Sequence, residues 1–326
     1  MPTYRAAMIA ITRLRPGLAT LFALALLVPF VSGCSVKRIA TKTAADALTS
    51  GPDVFSSDDD PELVRDAIPF GLKTYESFLS ALPNDPGLLL ACTRGFTQYA
   101  VGFIGLAADT LGPDRFDESQ AGHDRALRLL MRARDYGLRG LALKHPEIRR
   151  GLETHPESTA ATIGKAELPM LFWTAAAWGS AIGYGKDRPD LLGDIDAVRA
   201  LMKRALALDE SYQGGQLHEA GIVLEALPKE MGGSLDRAKQ HFDRAVELSG
   251  DRDPTPYVTW AQSVSIPAQD RAEFTRMLER ALAFDPNAVP STRLLTLLTQ
   301  RKAHALLARA DDLFLAPLDA QPQEKP

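Results

Sequence analysis

From Pro61 onward, apolar residues recur at helical spacing, and no stretch alternates apolar and polar residues between turn signals. The chain therefore predicts helix after helix. Pro61 opens the first, with Glu62 and Asp66 near its positive end. Leu63, Ala67, Phe70, Tyr75, Phe78 and Leu82 supply its apolar face, and "LPNDPG" breaks the chain at Pro83–Gly87. Leu88–Asp109 is apolar nearly all round, the pattern of a central helix. Gly95, Gly102 and Gly105 within it weaken the helix unless neighbours approach closely there. "LGPD" ends it.

Four later segments share Arg-Ala at the same place: "LLMRARDYG", "LMKRALALD", "HFDRAVELS" and "MLERALAFD". Their alanines, Ala133, Ala205, Ala245 and Ala281, are separated by 72, 40 and 36 residues. A period near 36 with one doubled gap is that of a helical-hairpin repeat. Val198, Leu201, Met202, Ala205 and Leu206 lie on one face, as do Ala238, Phe242, Ala245 and Val246 in the next copy. Phe274, Met277, Leu278, Ala281 and Leu282 do the same in the last. Ser234 is the expected N-cap of "LDRAKQHF", after a turn at "MGG". First helices of the hairpins are expected in "AELPMLFWTAAAWGSAIGYG", "GGQLHEAGIVLEALP" and "DPTPYVTWAQSVS". A last helix over Ser291–Asp312 closes the array, with Leu294, Leu295, Leu298, Ala305, Leu306 and Phe314 inward and Arg301, Lys302 and Arg309 outside.

The expected fold is all-α. Its antiparallel hairpins resemble tetratricopeptide repeats stacked as an α-solenoid, although the period drifts and the first-helix Trp-Leu-Gly-Tyr pattern of that family is absent. This helical domain spans 61–315, and 316–326 is a loose tail.

The N-terminus differs from the rest. Residues 1–33 contain Arg5, Arg13 and Arg15 and no acid, and Gly17–Val31 is nearly all apolar. A basic flank followed by an apolar run too short to span a bilayer comfortably reads as a secretory signal. It ends in Val31, Ser32, Gly33 and Cys34, which resembles the lipobox of bacterial lipoproteins. That resemblance makes residues 1–33 a signal peptide and Cys34 the acylated first residue of the mature chain. The alternative is an ordinary signal with a chance cysteine. Acyl chains, at about 0.8 kcal/mol per buried methylene, hold a protein on a membrane when two or three act together. Residues 34–60, with "TSGPDVFSSDDDP", read as a flexible acylated tether. Ser35 in place of Asp after the cysteine favours the outer membrane over the inner, by analogy with lipoprotein sorting.

Composition narrows the function further. A net charge of −4 over 326 residues gives no electrostatic reason to bind nucleic acid. Two cysteines cannot build a disulfide framework or a four-cysteine zinc site. The six histidines, His123, His145, His155, His218, His241 and His304, include no pair at i, i+4 spacing, so no metal is expected. "GSAIGYGKD" fails as a phosphate loop: its first glycine is misplaced, Asp187 stands where Ser or Thr belongs, and it follows a helix. Cys92 reads as a buried small hydrophobe. No catalytic constellation and no cofactor are expected. "MLFWTAAAWGSAIGYG" concentrates Trp173, Trp178 and Tyr184 among small residues. These aromatics either pack a core or line a groove or channel left open by the small residues.

This segment, with "ACTRGFTQYAVGFIGLAAD", "ALPKEMGGSLDRAKQHFDRAVELS", "PYVTWAQSVSIPAQDRAEFTRMLERALAFDP" and "RLLTLLTQRKAHALLARADDLF", resembles the T-component (TatT) family of TRAP transporters over about residues 60–315. One departure is "LTLLTQ", where a polar residue such as Asn is expected. The resemblance implies a non-enzymatic, lipid-anchored protein facing the periplasm. It implies association with the periplasmic solute-binding protein (P-subunit), assembly as a homotrimer with a pore, and hydrophobic or organic-acid ligands. A generic envelope scaffold is the competing reading.

Overall fold

The computed structural model describes residues 38–50 and 53–315. The expected signal peptide, Cys34 and the tail lie outside the described residues. Among those residues there are helices and no strands. Helix α1 covers 38–50, α2 Pro61–Ala81 and α3 Pro86–Tyr99. A π-helical segment, Ala100–Gly105, joins α3 to α4 (Leu106–Asp109). Next come α5 (Phe116–Ala142), the short α6 (Ile148–Thr154) and α7 (Pro156–Ala161), α8 (Leu168–Tyr184), α9 (Pro189–Leu192) and α10 (Ile195–Asp209). The C-terminal part holds α11 (Gln216–Glu225), α12 (Leu235–Ser249), α13 (Thr255–Trp260) with a π-helical extension Ala261–Ser265, α14 (Arg271–Leu282), α15 (Arg293–Ala308) and α16 (Ala310–Leu313).

Local chemistry sets the helix starts. Asp60 accepts hydrogen bonds from the amides of Glu62 and Leu63, each at 3.0 Å, with Pro61 at the first helical position. Asp85 and Pro86 repeat the device at α3. Ser234 caps α12 through the Arg237 amide, and Gly232 takes φ +82° in the turn before it, as the sequence led one to expect.

Consecutive helices pack as neighbours: α2 on α3, α3 on α5, α5 on α8, α8 on α10, α11 on α12, α13 on α14 and α14 on α15. Short connections make such neighbours antiparallel hairpins. The shared alanines Ala133, Ala205, Ala245 and Ala281 are all buried, where a larger side chain would hold the partner helix away. Both α3 and α8 bury residues around most of their circumference and sit centrally.

Three expectations change. Leu63 and Phe70 are 60% and 80% exposed; α2 instead buries Val64, Leu72 and Leu79. Its sequence carries two helical stripes, and packing against α1 and α3 selects the second. The described part of the expected tether is folded: α1 buries Ala45, and Ser56 and Ser57 offer their carbonyls to the Leu294 amide and the Arg293 guanidinium. Third, the cations of the last helix do not all face away. Arg301 forms a two-pronged ion pair with Glu62, and Arg309 donates to the Asp109 carbonyl at 2.8 Å. Leu298 approaches Gly102, where an added Cβ would lie 3.4 Å from its side chain. The last long helix therefore returns to the first hairpins, which an open stack of repeats would not do.

Candidate functional site

Helix α8 presents two different faces. Trp178, Leu171, Ala175, Ala181 and Ile182 are buried. Trp178 donates its indole N–H to Asp194 Oδ2 at 2.9 Å, and the Arg134 guanidinium stacks over its ring at 5.3 Å. A ring held this way is part of the core. Trp173 and Tyr184 lie eleven residues apart, three helical turns, on a half-open stripe with Ala176 and Ser180. Trp173 meets Phe172 edge-on, with ring centroids 5.0 Å apart. The structure thus separates the three aromatics that the sequence groups together: Trp173 and Tyr184 share the open stripe, and Trp178 faces the other way.

Tyr184 leads into a group of polar side chains that sequence reasoning missed. Its hydroxyl occupies the space where Gly105 lacks a side chain; a Cβ there would lie 1.9 Å from the oxygen. The π-helical segment presents this glycine, and such irregular turns recur at functional sites. Burial, and then the charge of Asp109, raise the Tyr184 pKa above its ordinary value. Its ring packs on His123, with centroids 5.4 Å apart, and His123 Nε2 donates to Asp109 Oδ1 at 2.8 Å. The other Asp109 oxygen lies 3.9 Å from Lys302 Nζ.

Lys302 keeps 29% of its side-chain surface open. Its pKa is nonetheless lowered by burial, which outweighs the attraction of Asp109. One turn earlier on α15, the Thr299 hydroxyl lies 3.5 Å from that of Thr255. Asp253 Oδ1 accepts from the Thr255 amide at 2.8 Å. Glu219 on α11 hydrogen-bonds to the Asp253 side chain, and burial followed by that neighbouring charge raises its pKa well above 4.5.

A line of polar groups thus runs from Glu219 and Asp253 through Thr255, Thr299, Lys302, Asp109 and His123 to Tyr184. It draws on six parts of the chain, with Asp253 and Thr255 in one local turn and Thr299 and Lys302 one turn apart on α15. The individual residues could be seen in the sequence, but their meeting depends on α15 returning to the first hairpins. The arrangement offers a cation, carboxyl groups and hydroxyl groups: donors and acceptors for a polar ligand, with Tyr184 of the α8 stripe at its end. Among the described residues no group of three or more His, Cys, Asp or Glu side chains is arranged to hold a metal ion.

A second titratable pair lies away from this line. His218 on α11 and His241 on α12 face each other with Nδ1 atoms 2.9 Å apart, so one ring donates to the other. Gly221 makes room for the second ring. Burial lowers both pKa values; the neighbouring His241 lowers that of His218 further. Cys92 is buried and its thiol is pushed up to about 12, chiefly by burial, which keeps it inert.

The family model described as TRAP transporter T-component matches residues 57–314. A chain of Treponema pallidum (strain Nichols), described as an uncharacterized protein, is 30% identical over 303 residues, covering 87% of this chain and 94% of the relative.

Proposed function

This chain belongs to the TRAP transporter T-component family, and from that membership we propose an accessory subunit that binds the periplasmic solute-binding protein of its transporter and passes a small ligand along the polar groups around Lys302. An accessory role in TRAP transport is what the family supplies. The docking and the ligand path are the proposal. The observation that carries it is Lys302, partly open and 3.9 Å from Asp109, which in turn holds His123 at 2.8 Å beside the half-buried Tyr184. Trp173 and Tyr184 on the half-open stripe of α8 supply apolar contact for the hydrophobic part of a ligand. No step requires catalysis. The protein is held at the envelope by acylated Cys34, faces the periplasm, and resides at the outer membrane. No described helix is long and apolar enough to cross a membrane. Homotrimer assembly belongs to the same reading.

The test is a crosslinked pull-down of the tagged full-length protein from its native envelope, read by mass spectrometry. A solute-binding protein as the main specific partner is expected. Recovery of cell-wall or outer-membrane assembly proteins in its place would overturn the transport role and put the scaffold reading first.

A further inference from the structure

We propose that α1 lies on the phospholipid surface as a rigid foot, fixing how the helical domain is oriented on its membrane. The proposal rests on the reading of Cys34 as an acylated anchor. Three observations lead to it.

First, α1 is fastened to the body. Ala45 is fully buried, Lys42 Nζ lies 3.0 Å from Asp85 Oδ2, and Tyr75 donates its hydroxyl to the Leu48 carbonyl at 3.4 Å. Second, the opposite arc of α1 is exposed and uncharged. It consists of Ile39, Ala40, Thr43, Ala44 and Ala47, with Ile39 65% open. Asp46, seven residues after Ile39, borders the arc and is paired with Lys42, so the edge of the arc carries no unpaired anion. A helix with one face on its own protein and an apolar arc outward lacks a partner for that arc. Exposed large apolar residues also concentrate here: among the described residues, six of eleven (Ile39, Leu48, Val54, Phe55, Leu63 and Phe70) fall between 39 and 70.

Third, the covalent distance decides which partner covers the arc. Four residue steps separate Cys34 from Arg38. Even a fully extended chain spans about 14 Å in that interval. The headgroup layer on each side of a bilayer is itself roughly 5–8 Å deep. With its acyl chains in the hydrocarbon, Cys34 cannot let α1 start farther than about one headgroup depth above the surface. The anchor also keeps the arc at high effective concentration beside lipid, so a small apolar face suffices. A partner protein covering the same arc would have to enter that narrow gap.

Site-directed fluorescence on the acylated full-length protein tests this. Ala44→Cys and Ala47→Cys place a probe on the arc, and Asp243→Cys places one on α12. Cys92 is buried with a raised thiol pKa and stays unlabelled. Each variant carries an NBD label and is reconstituted on phosphatidylethanolamine–phosphatidylglycerol vesicles with or without doxyl-labelled lipid. Doxyl lipid is expected to quench the two α1 probes about twofold or more and to leave the α12 probe unchanged. Ile39→Glu, a surface change that spares the buried face, is expected to reduce the quenching at position 47. Protein that floats with vesicles but shows no quenching on α1 overturns the foot and leaves the anchor standing. Protein that does not float overturns the anchor, and the foot with it.

Discussion

The two halves of the chain bury their apolar residues differently. From α1 to the start of α11, one continuous core runs from Ala45 to Leu217 and takes in Leu294 from α15. From α11 onward there are two small cores. One is built on Ile222, Ala238, Phe242, Trp260 and Val264, and the other on Val258, Phe274, Leu278 and Ala303. The hairpins with the clearest repeat pattern have the thinner cores. A repeat unit buries only what its neighbour covers. The N-terminal body escapes that limit because α3 and α8 are apolar around most of their surface and join several partners at once. The polar groups of the candidate site span these regimes, with Lys302 of α15 meeting Asp109 of α4.

Removing the Trp178 ring tests the large core and has the largest expected effect. Trp178→Ala takes away a buried ring together with its bond to Asp194, and a loss of about 3–5 kcal/mol is expected in urea unfolding followed by circular dichroism. Trp173→Ala, on the half-open stripe, is expected to remove about 1 kcal/mol while lowering ligand transfer from the solute-binding protein. Equal stability losses for the two, with no change in transfer, would return Trp173 to the core and remove it from the ligand path.

How much of this could be read from the sequence follows from the same division. The repeat alanines, the cap at Ser234 and the break at "LPNDPG" depend on residues within one or two turns, and they appear where the pattern places them. The face of α2 did not, because its two apolar stripes are locally equivalent and only packing against α1 and α3 chooses between them. The polar line was not legible for a related reason: Lys302 carries the same signature as any cation on an outer face until α15 meets Asp109. Gln300 was not singled out in the sequence, where "LTLLTQ" read only as a departure from the family pattern; its amide reaches the carbonyls of Ala281, Leu282 and Phe284, the last at 2.8 Å, and closes the C-terminus of α14.

Glu219 gives a pH test that acts on the thinner half. Its folded pKa is raised above 4.5, so the native state holds the proton more tightly than the unfolded chain does. The resulting stabilisation is present below 4.5 and is lost as the pH rises through the raised folded value. Unfolding midpoints from about pH 5 upward should therefore fall in the wild type and fall less in Glu219→Gln, which keeps the shape and a donor without the charge. The tryptophans separate the regions: Trp173 and Trp178 report on the body and Trp260 on the C-terminal hairpins. The pH effect should appear in a variant retaining only Trp260. An equal pH slope for Glu219→Gln and wild type would show that the carboxyl pair does not hold its proton.

The smallest expected effect concerns the closure itself. Arg301 and Glu62 form an ion pair with both side chains about half exposed, the class in which solvent and salt leave about 0.2–1 kcal/mol. Arg301→Gln should therefore barely move the global midpoint. It has more consequence for cooperation between the halves, because this contact is one of the few links from α15 back to α2. Single-tryptophan reporters for the two regions should unfold with closer midpoints in the wild type than in Arg301→Gln, and added salt should mimic the variant. If the reporters separate no further, the apolar contacts of Leu294 and Leu298 alone join the two cores, and the charged contacts of α15 serve to position Lys302 beside Asp109.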